Sequence, residues 1–329
     1  KRMVRAKWFC FLAIFLIVYS CNYNHLQEPD DCIYETIDSC DLPDITIGPF
    51  GYTKYEYDSI MYYAPCFNPN NSNEFVYIEE RPELSQSDLY IYNIATEERK
   101  FLADQVDYSP KWSKNDWIVF NRGSTLWKIK SSGDSLMILI PEGEYHAVEV
   151  NPFGEKIICR GYDDYYDLIL CDFNGNIIDY LNDSYFGEGS WSKDGNKIAT
   201  RKLDGGFYQG SSFGYYDSTL TNFIDIILNN STDPENFILD TEWYPDSKRI
   251  LWYASGSYSI TNIISGETTV FSKYCERNYN FFPSFSPNEN KILWEKTERE
   301  VLNTCDGYHV KTSIVITDEN GENEEIILN

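Results

Sequence analysis

Apolar residues in this chain gather in short runs separated by polar turns, and the runs recur in a constant order. Six of them are Phe75-Val76-Tyr77-Ile78, Trp117-Ile118-Val119-Phe120, Lys156-Ile157-Ile158-Cys159, Lys197-Ile198-Ala199-Thr200, Arg249-Ile250-Leu251-Trp252 and Lys291-Ile292-Leu293-Trp294. Each is short, bounded by turn residues and rich in β-branched and aromatic side chains, which predicts a strand. Each follows a polar turn, and each turn follows a marker: Phe67, Trp112, Val150, Trp191, Trp243 or Phe285. The fullest copy runs from Trp191 to Thr200 and has Asp194-Gly195 at its tip. Asp can bond its own backbone there, and Gly accepts a positive φ at little steric cost.

After each such strand comes a variable loop, a further strand, a turn and another strand. Leu126–Lys130 turns at Ser132-Gly133-Asp134, Leu168–Asp172 at Asn174-Gly175-Asn176, Tyr258–Asn262 at Ser265-Gly266-Glu267, and Ile314–Asp318 at Asn320-Gly321-Glu322. Asn-Gly and Ser-Gly between apolar runs are hairpin signals. No helical periodicity competes beyond residue 60. Markers spaced by roughly forty residues, with about four strands per unit, are the signature of propeller blades. The expectation is an all-β, six-bladed β-propeller of four-stranded antiparallel blades over residues 58–329.

The aromatic-Ser-Pro-Asp-Gly-x-Lys-Ile-apolar-aromatic repeat resembles the TolB-like six-bladed propeller family, especially its stand-alone lipoproteins. The resemblance covers roughly residues 58 to 329; Val150 replaces the aromatic in one unit, and only Trp191 to Gly195 keeps the full Asp-Gly tip. The segment before the first blade is too short for the small α/β domain of TolB itself. The resemblance therefore implies the fold and, more loosely, an envelope role.

Ahead of the repeats, Lys1, Arg2, Arg5 and Lys7 precede an apolar run from Trp8 to Tyr19. That run is short for a bilayer span and suits the core of a signal peptide. It ends at Val18-Tyr19-Ser20-Cys21, which resembles a bacterial lipobox with Cys21 as the lipidated residue, although Tyr19 stands where a small residue is usual. The alternatives are an ordinary signal peptide or an uncleaved anchor. Residues 1–20 are thus expected to be a signal peptide, and 21–57 a tether and lead-in strand. The protein is expected to be exported, an outer-membrane lipoprotein on the periplasmic side or at the cell surface, with the lipid its one link to the membrane. Export would permit disulfides. Cys32 with Cys40, Cys159 with Cys171, and Cys275 with Cys305 are candidate local pairs, and Cys66 is left over.

Charge and chemistry narrow the function. With 27 Lys and Arg against 52 Asp and Glu, the net charge of −25 argues against nucleic acid as a partner. Gly210-Ser211-Ser212-Phe213-Gly214 matches the nucleophile-elbow pattern, but that motif needs a strand turning into a helix, and its flanks here are loop-like. Only three histidines occur, His25, His146 and His309, and no zinc spacing is present. Asp318 to Glu325 lacks the ligand alternation of a calcium loop. No catalytic set, metal site or cofactor is expected.

The long insertions between second and third strands lie at Arg81–Asp88, Tyr162–Asp167, Leu203–Asn222 and Thr297–Lys311. Insertions sharing one face of a repeat fold often mark the binding face. Tyr162, Asp163, Asp164, Tyr165 and Tyr166, with Phe207, Tyr208, Tyr215, Tyr216 and Asp217, would make it aromatic and acidic. A cationic protein segment or a glycan would suit such a surface. The sequence thus points to a non-catalytic protein-binding or scaffold propeller, with a glycan-binding module or a propeller hydrolase or lyase as alternatives.

Overall fold

The computed structural model describes residues 54–141, 145–161, 168–181, 189–203, 211–229, 240–254, 257–273, 278–288, 290–302 and 307–329. Among them there is no α-helix, only one 3-10 turn at Pro82–Leu84. The chain divides into two units. The smaller comprises residues 1–56 and 300–309 and contains most of β1 (Lys54–Tyr57); within it the rings of Tyr55 and Tyr308 lie 6.0 Å apart. The larger comprises residues 57–299 and 310–329 and carries the repeats.

Each repeat forms one antiparallel sheet in simple strand order. Blade one is β2 (Met61–Asn68), β3 (Asn71–Arg81), β4 (Gln86–Asn93) and β5 (Glu98–Asp104). Blade two is β6 (Tyr108–Trp112), β7 (Trp117–Arg122), β8 (Thr125–Lys130) and β9 (Met137–Ile140). Blade three is β10 (Tyr145–Val150), β11 (Lys156–Gly161), β12 (Leu168–Asp172) and β13 (Ile177–Leu181). Blade four is β14 (Ser190–Trp191), β15 (Lys197–Leu203), β16 (Ser211–Asp217) and β17 (Phe223–Asn229). Blade five is β18 (Asp240–Trp243), β19 (Arg249–Ala254), β20 (Ser257–Asn262) and β21 (Thr268–Lys273). Blade six is β22 (Asn278–Phe285), β23 (Lys291–Val301), β24 (Gly307–Asp318) and β25 (Glu325–Leu328). The first strands of successive blades neighbour one another all the way round, so they form the inner ring of a six-bladed β-propeller.

The apolar runs are explained by what lies on either side of each second strand. In β3, Val76 and Ile78 pack with Trp112, Ile118 and Phe120 of blade two, while Phe75 and Tyr77 pack with Leu293, Ile314 and Ile316 of blade six. In β11, Ile157 and Cys159 meet Val119 of blade two, and Ile158 meets Trp191 and Ile198 of blade four. Ala199 and Phe213 meet Trp243 and Ile250, and Leu251 and Tyr244 meet Ile292, Trp294 and Phe285. Successive strand residues point to opposite faces, and here both faces are core, so both must be apolar. The result is one apolar seam per blade boundary. Burying one such Ile or Leu side chain contributes about 1.5–3 kcal/mol.

The ring closes between blades six and one. The Tyr62 N–H donates to Thr312 Oγ1 at 2.6 Å and the Phe67 N–H to Ser284 Oγ at 3.0 Å. Packing and side-chain hydrogen bonds make this seam.

Two expectations need correction. Where they fall within the described residues, the segments assigned as insertions are largely strand: Arg81 ends β3, and Gln86 already opens β4. Likewise Thr297–Val301 and Gly307–Lys311 extend the hairpin of β23 and β24, and Ser211–Asp217 is β16. These stretches read as loops because they are polar, but strand pairing in an antiparallel hairpin can continue past the core it covers. Second, Cys159 and Cys171 are free and buried, hydrogen-bonded as thiols rather than joined. Cys159 lies opposite Ile169 and Cys171 opposite Ile157, so the two are diagonal neighbours, a longer separation than a directly opposed pair. Cys21, Cys32, Cys40, Cys275 and Cys305 fall outside the described residues.

Candidate functional site

The inner strands do not run straight. Pairing slips between Tyr63 and Cys66 in β2, between Tyr108 and Lys111 in β6, between His146 and Glu149 in β10, and between Phe281 and Ser284 in β22. Each slip is a β-bulge, which re-aims the side chain that follows it. The re-aimed residue is the one just before the marker or, at Cys66 and Ser284, the same position in its blade. A marker such as Trp112 is buried in a seam, whereas its polar predecessor Lys111 lines the central cavity.

Five blades bring these positions together at the end of the inner strands where the marker turns lie, and blade four contributes Lys193 from its turn. They enclose a cavity of about 360 Å³. Its throat holds Cys66, Lys111, Glu149, Lys193, Glu242 and Ser284, and its rim holds Pro69, Pro152, Pro245 and Pro287. The charges alternate and are matched. Lys111 Nζ lies 2.8 Å from Glu149 Oε2, and Lys193 Nζ lies 2.5 Å from Glu242 Oε1. Burial favours the neutral amine at Lys111, but Glu149 and then Glu242 reverse this and hold the ammonium well above its usual range. Lys193 behaves the same way: against burial, Glu242 and Glu149 keep it charged. Burial pushes the Cys66 thiol up, outweighing the pull of Lys111, so Cys66 is a protonated thiol and not a poised nucleophile.

The turns that form the rim are stiff for reasons visible in their sequence. The residue after the marker is Ser or Asn in five units, and its side chain accepts backbone N–H groups of its own turn. Ser192 Oγ accepts from Lys197 N–H at 2.9 Å, Ser113 Oγ from Trp117 at 3.1 Å, Ser286 Oγ from Lys291 at 3.2 Å and Asn151 Oδ1 from Glu155 at 2.8 Å. Asn68 Oδ1 accepts from Asn70 at 2.9 Å. Adjacent turns are also tied to each other: Asn70 Nδ2 donates to Lys114 O at 3.0 Å, Asn115 Nδ2 to Gly154 O at 2.6 Å, and Asp194 N–H to Ser247 Oγ at 2.9 Å. A mouth built this way presents a fixed shape to a partner.

The residues expected to form a binding face are placed differently. Tyr162, Asp163, Asp164, Tyr165 and Tyr166 lie outside the described residues, as do Phe207 and Tyr208 and the lipidation candidate Cys21. Tyr215 is in β16, with its ring 6.1 Å from that of Trp243 in blade five. Tyr216 is buried, its ring 4.7 Å from Phe223. Asp217 closes the β16–β17 turn, accepting from the hydroxyls of Thr219 and Thr221 and from Asn222 Nδ2; these bonds hold its carboxyl well below the usual range. Ser212 is buried within β16, paired with Lys202 and Leu228, with no strand-to-helix turn around it. Asp318 shapes a hairpin turn, its Oδ1 accepting from the N–H groups of Asn320 and Glu322. Among the described residues no group of three or more His, Cys, Asp and Glu could hold a metal ion, and no helix is long and apolar enough to cross a membrane.

The throat escaped notice in the sequence, although a signal was present. In every unit the residue before the marker is polar or Cys: Cys66, Lys111, Glu149, Ser190, Glu242 and Ser284. A lysine or glutamate abutting a core aromatic in the same column of a repeat is a side chain turned towards the axis.

Six blades of four strands around such a mouth define a six-bladed β-propeller. No family model matches the chain, and no curated protein does. Among solved structures it is similar to TolB from Acinetobacter baumannii, at 17% identity and a TM-score of 0.58, over 82% of this chain and 63% of that one. It is also similar to a putative TolB from Agrobacterium tumefaciens, at 15% identity and 0.56, over 72% of this chain and 86% of that one. An oligogalacturonate lyase in complex with manganese aligns at 11% identity and 0.53, over 82% and 78%. Likeness at these identities establishes the fold, which is shared by proteins of different activity.

Proposed function

We propose that the chain is a non-catalytic protein-binding propeller of the bacterial cell envelope, exported and tethered through a lipid on Cys21, and that the marker-turn mouth receives a segment of its partner. One observation carries this: the throat charges are already matched in pairs, within a rigid rim of prolines. Lysines and glutamates committed to each other are suited to exchanging hydrogen bonds with a peptide. The acidity of the chain, −25 overall, favours a partner that is cationic away from the inserted segment.

The test is affinity capture from envelope extracts with the mature protein and with Pro287→Arg. Pro287 is exposed on the rim, so a long side chain there obstructs the mouth without touching the core. A partner recovered reproducibly by the first and lost by the second supports the proposal. Identical recovery by both counts against the mouth, and retention on a polysaccharide array with no protein partner would favour the glycan alternative. Incorporation of labelled palmitate that disappears in Cys21→Ser checks the tether.

A further inference from the structure

A second cavity, of about 480 Å³, lies at the other end of the inner strands, where β3 meets β4 and β5 leads into β6. Ile78, Val106 and Phe282 give it apolar walls, and Glu80, Asp107 and Glu295 give it three acidic side chains; among the described residues no lysine or arginine lines it.

Glu295 is the informative member. Four glutamates are buried among the described residues: Glu79, Glu149, Glu242 and Glu295. Glu79 is ion-paired with Arg81 and Arg99, Glu149 with Lys111 and Glu242 with Lys193. Glu295, 5% exposed, accepts one hydrogen bond, from the Ala64 N–H to Oε2 at 3.0 Å. Among the described residues the titratable group acting on it is Asp240, a second carboxyl, which also favours its protonated form. A buried carboxylate without a cation is costly, and it is relieved either by taking up a proton or by an incoming positive charge.

The backbone around it is also unusual. Ala64 and Phe282, both lining the cavity, have φ of 47° and 50°. These are bulge residues in a conformation that side chains other than glycine disfavour, and such strain gathers where a binding geometry is held. It directs the Ala64 N–H to Glu295 and the Phe282 N–H to Asp240, at 3.0 and 3.1 Å.

We propose that this cavity is a binding site for a small organic cation, a primary or secondary ammonium on an apolar body, with the ammonium seated on Glu295 and the body against Ile78, Val106 and Phe282. Glu80 and Asp107 add attraction nearer the opening. With the site empty, burial pushes the Glu295 carboxyl up to about 8, so it holds its proton at neutral pH. Seating an ammonium favours the carboxylate, and one proton passes from Glu295 to solvent. The other titratable groups facing Glu295 are Asp240 of β18, Tyr63 of β2 and Tyr258 of β20. Tyr258 donates its hydroxyl to Asp240 and both tyrosines are held far above neutrality, so neither supplies that proton.

Calorimetric titration of the mature protein with phenethylamine, and with 2-phenylethanol as its neutral counterpart, tests this near pH 7. The amine should bind about tenfold or more tightly than the alcohol, as a charge-assisted hydrogen bond requires. Titration in buffers of different ionisation enthalpy should show proton release. Glu295→Gln keeps the acceptor for Ala64; it should weaken the amine about tenfold, abolish proton release and leave the alcohol unchanged. Asp107→Asn, at the exposed edge, should weaken the amine by about threefold without disturbing the interior. Equal affinity for amine and alcohol overturns the proposal. So does unchanged amine binding in Glu295→Gln, or no saturable binding of phenethylamine, butylamine or N-methylphenethylamine up to about 10 mM.

Discussion

Replacing Glu295 with glutamine should alter how stability depends on pH, and the structure fixes the sign. Burial, reinforced by Asp240 and only partly offset by the Ala64 N–H, raises the carboxyl from an ordinary 4.5 to about 8. A group whose folded value lies above its unfolded one retains its proton longer when folded. Its stabilising contribution is therefore fully present below about pH 4.5 and declines as pH rises, reaching its floor above about pH 8. At ~1.4 kcal/mol per pH unit, that window corresponds to about 3–5 kcal/mol. Glutamine accepts the same bond from Ala64 and does not titrate. Wild type and Glu295→Gln should differ little at about pH 5, while at about pH 9 the variant should be the more stable by ~3 kcal/mol or more. Asp240, Tyr63 and Tyr258 are common to both proteins, so the difference between them isolates residue 295. Urea unfolding followed by tryptophan fluorescence across this range provides the free energies. Parallel stability curves, or a variant less stable than wild type at alkaline pH, would refute the reasoning.

Three further outcomes follow from single features. Glu149→Gln leaves the Lys111 ammonium without its partner and should cost about 2–4 kcal/mol, at the lower end because Lys111 is partly exposed; Lys111→Met with Glu149→Leu should recover most of it, and a coupling energy below ~0.5 kcal/mol in the double-mutant cycle would contradict the pairing. Gly175 has φ of 85°, and a Cβ there would sit 2.0 Å from the Leu139 carbonyl oxygen, so Gly175→Ala should lose more than ~2 kcal/mol, whereas Gly266→Ala, at φ of 73° in open space, should lose about 1; equal melting-temperature shifts would be the adverse result. Ser192→Ala removes a buried hydroxyl that accepts from the Lys197 N–H and should cost about 1–2 kcal/mol by thermal unfolding, against no measurable change for the exposed Asn196→Ala.

The blades were legible in the sequence because the repeat signals them six times over. A single strand such as Ile157-Ile158-Cys159 shows no alternation that would identify it, since both of its faces are core. What exposed it was its place after a marker and a turn, in a column with five others. The turn glycines were legible for a local reason: Gly133, Gly175, Gly266 and Gly321 all have positive φ where Ser-Gly and Asn-Gly pairs predicted hairpin tips. The extent of the strands was not legible. Glu298-Arg299-Glu300 is charged throughout, and nothing local says that it continues a hairpin begun in the core. Asp217 and Tyr216 illustrate the same difficulty from the other side: an aromatic and acidic stretch resembled a recognition loop, while one residue packs inward and the other closes a turn.

The mouth and the second cavity were hidden for a different reason, which concerns how a propeller assembles a site. Lys111, Glu149, Lys193 and Glu242 come from four blades, three of them just before an apolar marker and Lys193 two places after one. Within one repeat such a residue looks like an ordinary surface position. Only the ring puts the four side by side, and only then do their charges become interdependent, each ammonium kept charged by a carboxylate from the neighbouring blade. At the other end of the inner strands the same closure brings Glu295 of blade six against Ala64 of blade one, and there no lysine or arginine among the described residues arrives with it. The two ends therefore differ in kind. Where the ring supplies its own counter-charges, the surface is complete and suits a partner that matches its shape. Where it withholds one, the missing charge specifies the ligand.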